Sequence, residues 1–140
     1  MEIEFRGKRL RSSEWVHGFY YEERGFSYIT VVTDKPGEIP THLNVPVDPK
    51  TVGQYTNLKD KNGKKIFEGD IVEIIGDEGY EFTSVVEYFG ESGYPAFDMR
   101  TPEDYYFESN TFSEIIMSSS YELEVIGNIH ENPELLEVVE

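Results

Sequence analysis

Along most of the chain apolar and polar residues alternate with a period of two, the pattern of strands that bury one face. Phe26, Tyr28, Thr30 and Val32 alternate with Ser27, Ile29 and Val31, a set rich in β-branched and aromatic residues. Trp15 to Tyr21 has the same character, and Glu22-Glu23-Arg24-Gly25 between them predicts a hairpin loop. Asp34-Lys35-Pro36-Gly37 predicts a turn, because Pro presets φ at the first corner and Gly accepts positive φ at the second. Pro40, Pro46 and Pro49 follow closely, which disfavours a central strand or a helix. Pro40 to Lys50 is therefore expected to be an extended connector, dividing the chain into an N-terminal β hairpin unit with its connector, 1–50, and a main β unit, 51–140.

The pattern sharpens from Thr51. Thr51 to Thr56 suits an extended segment, and Leu58 to Lys65 is a polar loop whose Asn62-Gly63 pair predicts a two-residue hairpin turn with positive φ. Ile66 and Phe67 resume the apolar pattern. A second turn at Gly69-Asp70 leads into Ile71 to Ile75, apolar on both faces near its end as in a central strand. Tyr80, Phe82, Val86 and Tyr88 share one face of a partner strand, and Tyr94 to Met99 predicts a further short one. Thr111 with Glu114 fits a capping box ahead of Ile115 and Ile116, predicting one or two helical turns. Tyr121, Leu123, Val125 and Ile129 read as one face of a last strand. Asn132-Pro133-Glu134 has the order of a helix start, so Leu135 and Leu136 are expected to pack from a short helical turn. Ile71, Val72, Ile74, Phe82, Val86, Val125 and Ile129 should share one β core.

Composition narrows the functional classes. Aromatic residues make up 14% of the 140 residues, enough for a core despite a hydrophobic fraction of 38%. With 0 Cys there is no disulfide, thiolate metal site or cysteine nucleophile. Met1 to Leu10 has no continuous apolar run and no later stretch reaches membrane-spanning length, so a cytoplasmic protein without membrane contact is expected. The net charge of −16 opposes direct binding of nucleic acid, whose phosphates need clustered Lys and Arg. Such acidity serves solubility in the ordinary case, and mimicry of nucleic acid toward a DNA-binding partner is the sharper alternative.

Candidate chemistry is sparse. Asp60-Lys61-Asn62-Gly63 resembles the start of an EF-hand loop, but Gly63 stands fourth instead of sixth and Ile71 occupies the twelfth position, where the bidentate Glu belongs. His17, His42 and His130 have no metal-ligand spacing, and Ser118-Ser119-Ser120 lacks the context of a hydrolase nucleophile. No phosphate-binding glycine motif occurs. No catalytic residue, metal or cofactor is therefore assigned. Glu103, Asp104, Tyr105, Tyr106, Phe107 and Glu108 interleave rings with acids, as core-filling aromatics or, if exposed, as a contact surface for a basic partner or a second copy.

Two long segments carry a resemblance. Gln54-Tyr55-Thr56, Leu58-Lys59-Asp60-Lys61-Asn62-Gly63-Lys64 and Glu68-Gly69-Asp70-Ile71-Val72, followed by Val125-Ile126-Gly127-Asn128-Ile129 and Glu131-Asn132-Pro133-Glu134-Leu135-Leu136, resemble the signatures of the YopX family of phage and prophage proteins. Asn57 stands where that family commonly has glycine. The resemblance implies a mainly β fold with a small Src-homology-3-type barrel and no transferable catalytic residues, while the turn signals themselves make Asn62, Gly63, Gly69 and Asp70 structural turn positions. The expectation is a non-enzymatic protein-binding or assembly module acting on a protein partner or on copies of itself, with Arg6, Lys8, Arg9 and Arg11 available to meet acids of a neighbour. An acidic inhibitor of a DNA-binding protein and a carboxylate-dependent enzyme are the alternatives.

Overall fold

The alternating segments form antiparallel strands, and the protein is mainly β. The structure is a computed structural model that describes residues 2–76, 81–89, 96–100, 111–118 and 120–136. Two units, Met1–Tyr55 and Thr56–Glu140, are described in turn.

The first unit contains β1 (Phe5–Lys8), β2 (Trp15–Glu23), β3 (Phe26–Thr33), β4 (Thr41–Val47) and the first residues of β5 (Gly53–Lys59), in the spatial order β4-β3-β2-β1-β5. Strand β2 changes partner along its length: Trp15 to Gly18 pair with β1, and Phe19 to Glu23 pair with β3. Gly18 sits at the handover, where a Cβ would lie 2.0 Å from the Thr30 carbonyl oxygen, so only glycine fits the bend. Arg24 and Gly25, with φ of 51° and 82°, close the β2–β3 hairpin in the conformation whose twist matches that of the strands. The Pro36-Gly37 turn forms as expected: Glu38 N–H donates to the Lys35 carbonyl at 3.0 Å, and Gly37 has φ of 83°. Ile29, Val45 and Val47 are buried, with Phe5, Val16 and Tyr20 packed against them.

The expected connector from Pro40 to Lys50 is instead largely strand. β4 pairs with β3 from Thr41 to Thr33 through to Val47 opposite Ser27. Pro46 is tolerated because β4 is the edge strand of that order, so the missing N–H breaks no ladder on its outer side. Its carbonyl accepts from Leu10 N–H at 3.4 Å, and Arg9 bridges Val47.

The second unit contains the rest of β5, then β6 (Lys65–Phe67), β7 (Asp70–Gly76), β8 (Glu81–Val85), β9 (Glu87–Tyr88), β10 (Phe97–Asp98), α1 (Thr111–Met117) and β11 (Tyr121–Asn128), ending in a 3-10 turn at Pro133–Leu136. β7 lies between β11 and β8, which explains its runs of buried residues on both faces. Val72, Ile74, Phe82, Val86, Leu123 and Val125 form its core with Ile66, Met99, Phe112 and Ile115. Ile71 is fully buried as expected. Each fully buried Ile or Val side chain contributes about 1.5–3 kcal/mol over exposure. The sheets are open, and closure into a barrel is not seen among the described residues.

Three local expectations change. Ile129 is 38% exposed, because the register of β11 slips between Val125 and Gly127. One extra residue at Ile126 moves each later position to the opposite face. The helix does not begin with Thr111 as its capping residue: Thr111 is already helical, and the Asp98 carboxylate accepts the Phe112 N–H at 3.0 Å. Leu135 and Leu136 are 40% and 36% exposed, so each packs with only part of its side chain.

Candidate binding cleft

The loop from β1 to β2 is held by Arg9 N–H donating to the Glu14 carbonyl at 3.0 Å and by Glu14 N–H donating to Ser12 Oγ at 3.3 Å. The Leu10–Pro46 bond fastens it beside the end of β4. Between loop and sheet opens a cleft of about 680 Å³, lined by Arg9, Leu10, Arg11, Phe26, Tyr28 and Pro46 among others. That volume lies within the range of about 300–1,000 Å³ typical of ligand sites. Its apolar groups face water: Leu10 is 53% and Phe26 58% exposed. Tyr28 is fixed by stacking on Tyr21, with ring centroids 5.1 Å apart and planes 14° from parallel. By register Tyr21 and Tyr28 share a face with Phe19 and Phe26, so the aromatic surface continues out of the cleft.

The basic residues divide in two. Arg6 is buried with its guanidinium 5.0 Å from the centre of the Trp15 ring, and Lys8 approaches the same ring at 5.9 Å. Arg9 and Arg11 stand at the cleft. Arg9 pairs with Glu14 at 3.4 Å, whereas Arg11 has no acidic partner among the described residues. A guanidinium offers a planar fork that matches a carboxylate, and a ring or leucine floor holds an aliphatic anchor. Such a cleft suits an apolar segment that carries acids.

Charge is unequally shared. Residues 1–55 hold seven Lys and Arg against eight Asp and Glu, and residues 56–140 hold five against twenty, or −1 and −15 of the total −16. The repulsion of anions expected from net charge therefore belongs to the second unit.

Glu103, Asp104, Tyr105, Tyr106, Phe107 and Glu108 lie outside the described residues. The turn positions belong to an architectural cluster centred on Asp60. Its carboxylate accepts from Asn62 and Lys64 N–H, both at 2.9 Å, and from Val125 N–H at 3.0 Å. Lys61 N–H donates to the Leu123 carbonyl at 3.0 Å, while its ammonium meets Glu122 and Glu124 and is held above its usual pKa first by Glu122. The loop thus ties itself to β11. Positive φ is found at Gly63, at 80°, and not at Asn62, because the hairpin is a type I turn followed by a left-handed residue and not a two-residue loop. Gly69 has φ of 92°, and Asp70, 1% exposed, accepts the Phe67 N–H at 2.8 Å. Among the described residues there is no cluster of three His, Asp or Glu placed for a metal ion, and no helix is long and apolar enough to cross a membrane.

The cleft was not foreseen as one site. The run Arg6, Lys8, Arg9, Arg11 was a legible signal, but placing it beside Pro46 required β4, which the prolines argued against.

Fold and cleft together define a mainly β protein with an open, ligand-sized surface site. The chain belongs to the YopX family, whose YopX protein profile matches residues 4–137. Among solved structures it is similar to the crystal structure of protein EF1440 from Enterococcus faecalis, at 25% identity and a TM-score of 0.61 over 98% of this chain and 99% of that one. No curated protein matches it in sequence. Asn57 has φ of 68°, a left-handed conformation that asparagine tolerates better than most residues.

Proposed function

We propose that this chain is a non-enzymatic protein-binding or assembly module of phage or prophage origin, acting in the cytoplasm, and that it grips its partner in the cleft beside Arg9 and Arg11. The observation that carries this is a ligand-sized opening with an exposed aromatic floor and a guanidinium rim on the nearly neutral part of the chain. Exposed rings beside arginine are the side chains enriched where proteins meet. We also propose that the strands of the second unit form a Src-homology-3-type barrel.

The test is selection of peptides from a random display library, followed by amide chemical-shift mapping. Selected peptides should perturb Leu10, Arg11, Phe26 and Tyr28, and Arg11→Glu should weaken them at least about tenfold, or about 1.4 kcal/mol. Perturbations confined to other surfaces would refute the cleft. The second reading, mimicry of nucleic acid, is favoured by the twenty acids against five bases of residues 56–140. It requires binding to a basic partner that collapses as salt is raised.

A further inference from the structure

We infer that the occupant of the cleft is a second copy of this chain, through its segment from Glu131 to Leu136. The inference rests on the cleft being the protein-binding surface. The cleft calls for an aliphatic anchor flanked by carboxylates, and this segment has that chemistry. Leu135 and Leu136 stand 40% and 36% exposed on a 3-10 turn, with Glu131 and Glu134 beside them. Arg11, without an acidic partner among the described residues, gives one carboxylate a fork to dock on. Charge complementarity is local and specific: the rim is cationic on the unit of net charge −1, and the segment belongs to the unit of net charge −15.

Glu14 refines the inference. It already pairs with Arg9 at 3.4 Å, in an ion pair whose side chains are 66% and 39% exposed. An incoming Glu134 competes with it, so Glu14 restrains assembly. The contact joins two different surfaces and is therefore heterologous, producing either a closed ring or an open chain of copies.

Sedimentation velocity over a series of concentrations tests this on the full chain. The wild type should gain mass as concentration rises. Arg11→Glu and Leu135→Ser, at exposed positions, should each weaken association at least about tenfold, and Glu14→Gln should strengthen it by several-fold. An equimolar mixture of the Arg11→Glu and Leu135→Ser variants retains one intact cleft and one intact segment per pair, so it should give dimers and nothing larger. A wild type monomeric at every loading, or association unmoved by Arg11→Glu, would overturn the inference. A monomer whose cleft binds another protein would overturn it while leaving the protein-binding function standing. Cleft shifts caused by single-stranded oligonucleotide, with none from a second copy, would overturn both.

Discussion

Asp60 shows how much one side chain can organise. Burial acts to raise its pKa, but the N–H donors of Val125, Lys64 and Asn62, helped by the Lys64 charge, outweigh burial and hold it below the ordinary aspartate value. A depressed folded pKa means that the ionised carboxylate stabilises fully above the unfolded value of about 3.9 and that this stability is lost as pH falls through the folded value. Asp60→Asn should cost about 1.5–3 kcal/mol at neutral pH, since an amide nitrogen would face one of the N–H donors, and should flatten the acid limb of a stability–pH profile. Equal acid limbs for wild type and variant would contradict this. Glycines offer a second comparison. At Gly63 no atom lies within 4 Å of a built Cβ, so Gly63→Val meets only the backbone cost of φ 80°, about 1–3 kcal/mol. At Gly18 even Gly18→Ala must displace a carbonyl oxygen, so urea denaturation should find it the more damaging of the two. Gly63 was legible in the Asn-Gly pair. Gly18 was not, because its need arises from the approach of a neighbouring strand.

Where a strand keeps its alternation, the sequence is a sufficient guide, and β2 and β3 lie where the pattern of two puts them, while β7 lies where a run apolar on both faces predicts a central strand. β11 marks the limit of that method. Local composition does not announce a bulge at Ile126, and extrapolating the alternation past it assigned Ile129 to the core. Chemical denaturation should separate the two cases: Ile74→Ala, at a fully buried position, should cost about 2–5 kcal/mol, and Ile129→Ala less than about 1 kcal/mol. Similar costs would mean that the strand keeps its register in solution. β4 failed in the opposite direction. Its prolines argue against a central strand, whereas an edge has no outer ladder to lose, and whether a strand lies at an edge is decided by pairing that no local window contains. The cleft went unseen for the same reason, since its walls come from the β1–β2 loop, β3 and β4.

For the whole molecule, a total charge of −16 hides the contrast between residues 1–55 and 56–140. Self-repulsion among the acids of the second unit opposes its compact state, and added salt screens charges over about 10 Å at 0.1 M. The thermal midpoint of the full chain should therefore rise from low to physiological salt, as differential scanning calorimetry would measure, and a fall would mean that attractive pairs dominate. The Asp60 clamp also bears on the order in which the molecule forms. Its bonds to Asn62 and Lys64 span two and four residues, but that to Val125 spans 65. Contacts between distant residues carry the larger loop-closure entropy and slow folding, so the hairpin can exist well before β11 arrives to be clamped. In stopped-flow kinetics, Asp60→Asn should accordingly leave refolding nearly unchanged and place most of its effect in faster unfolding, whereas a variant that refolds slowly would put the docking of β11 inside the folding nucleus.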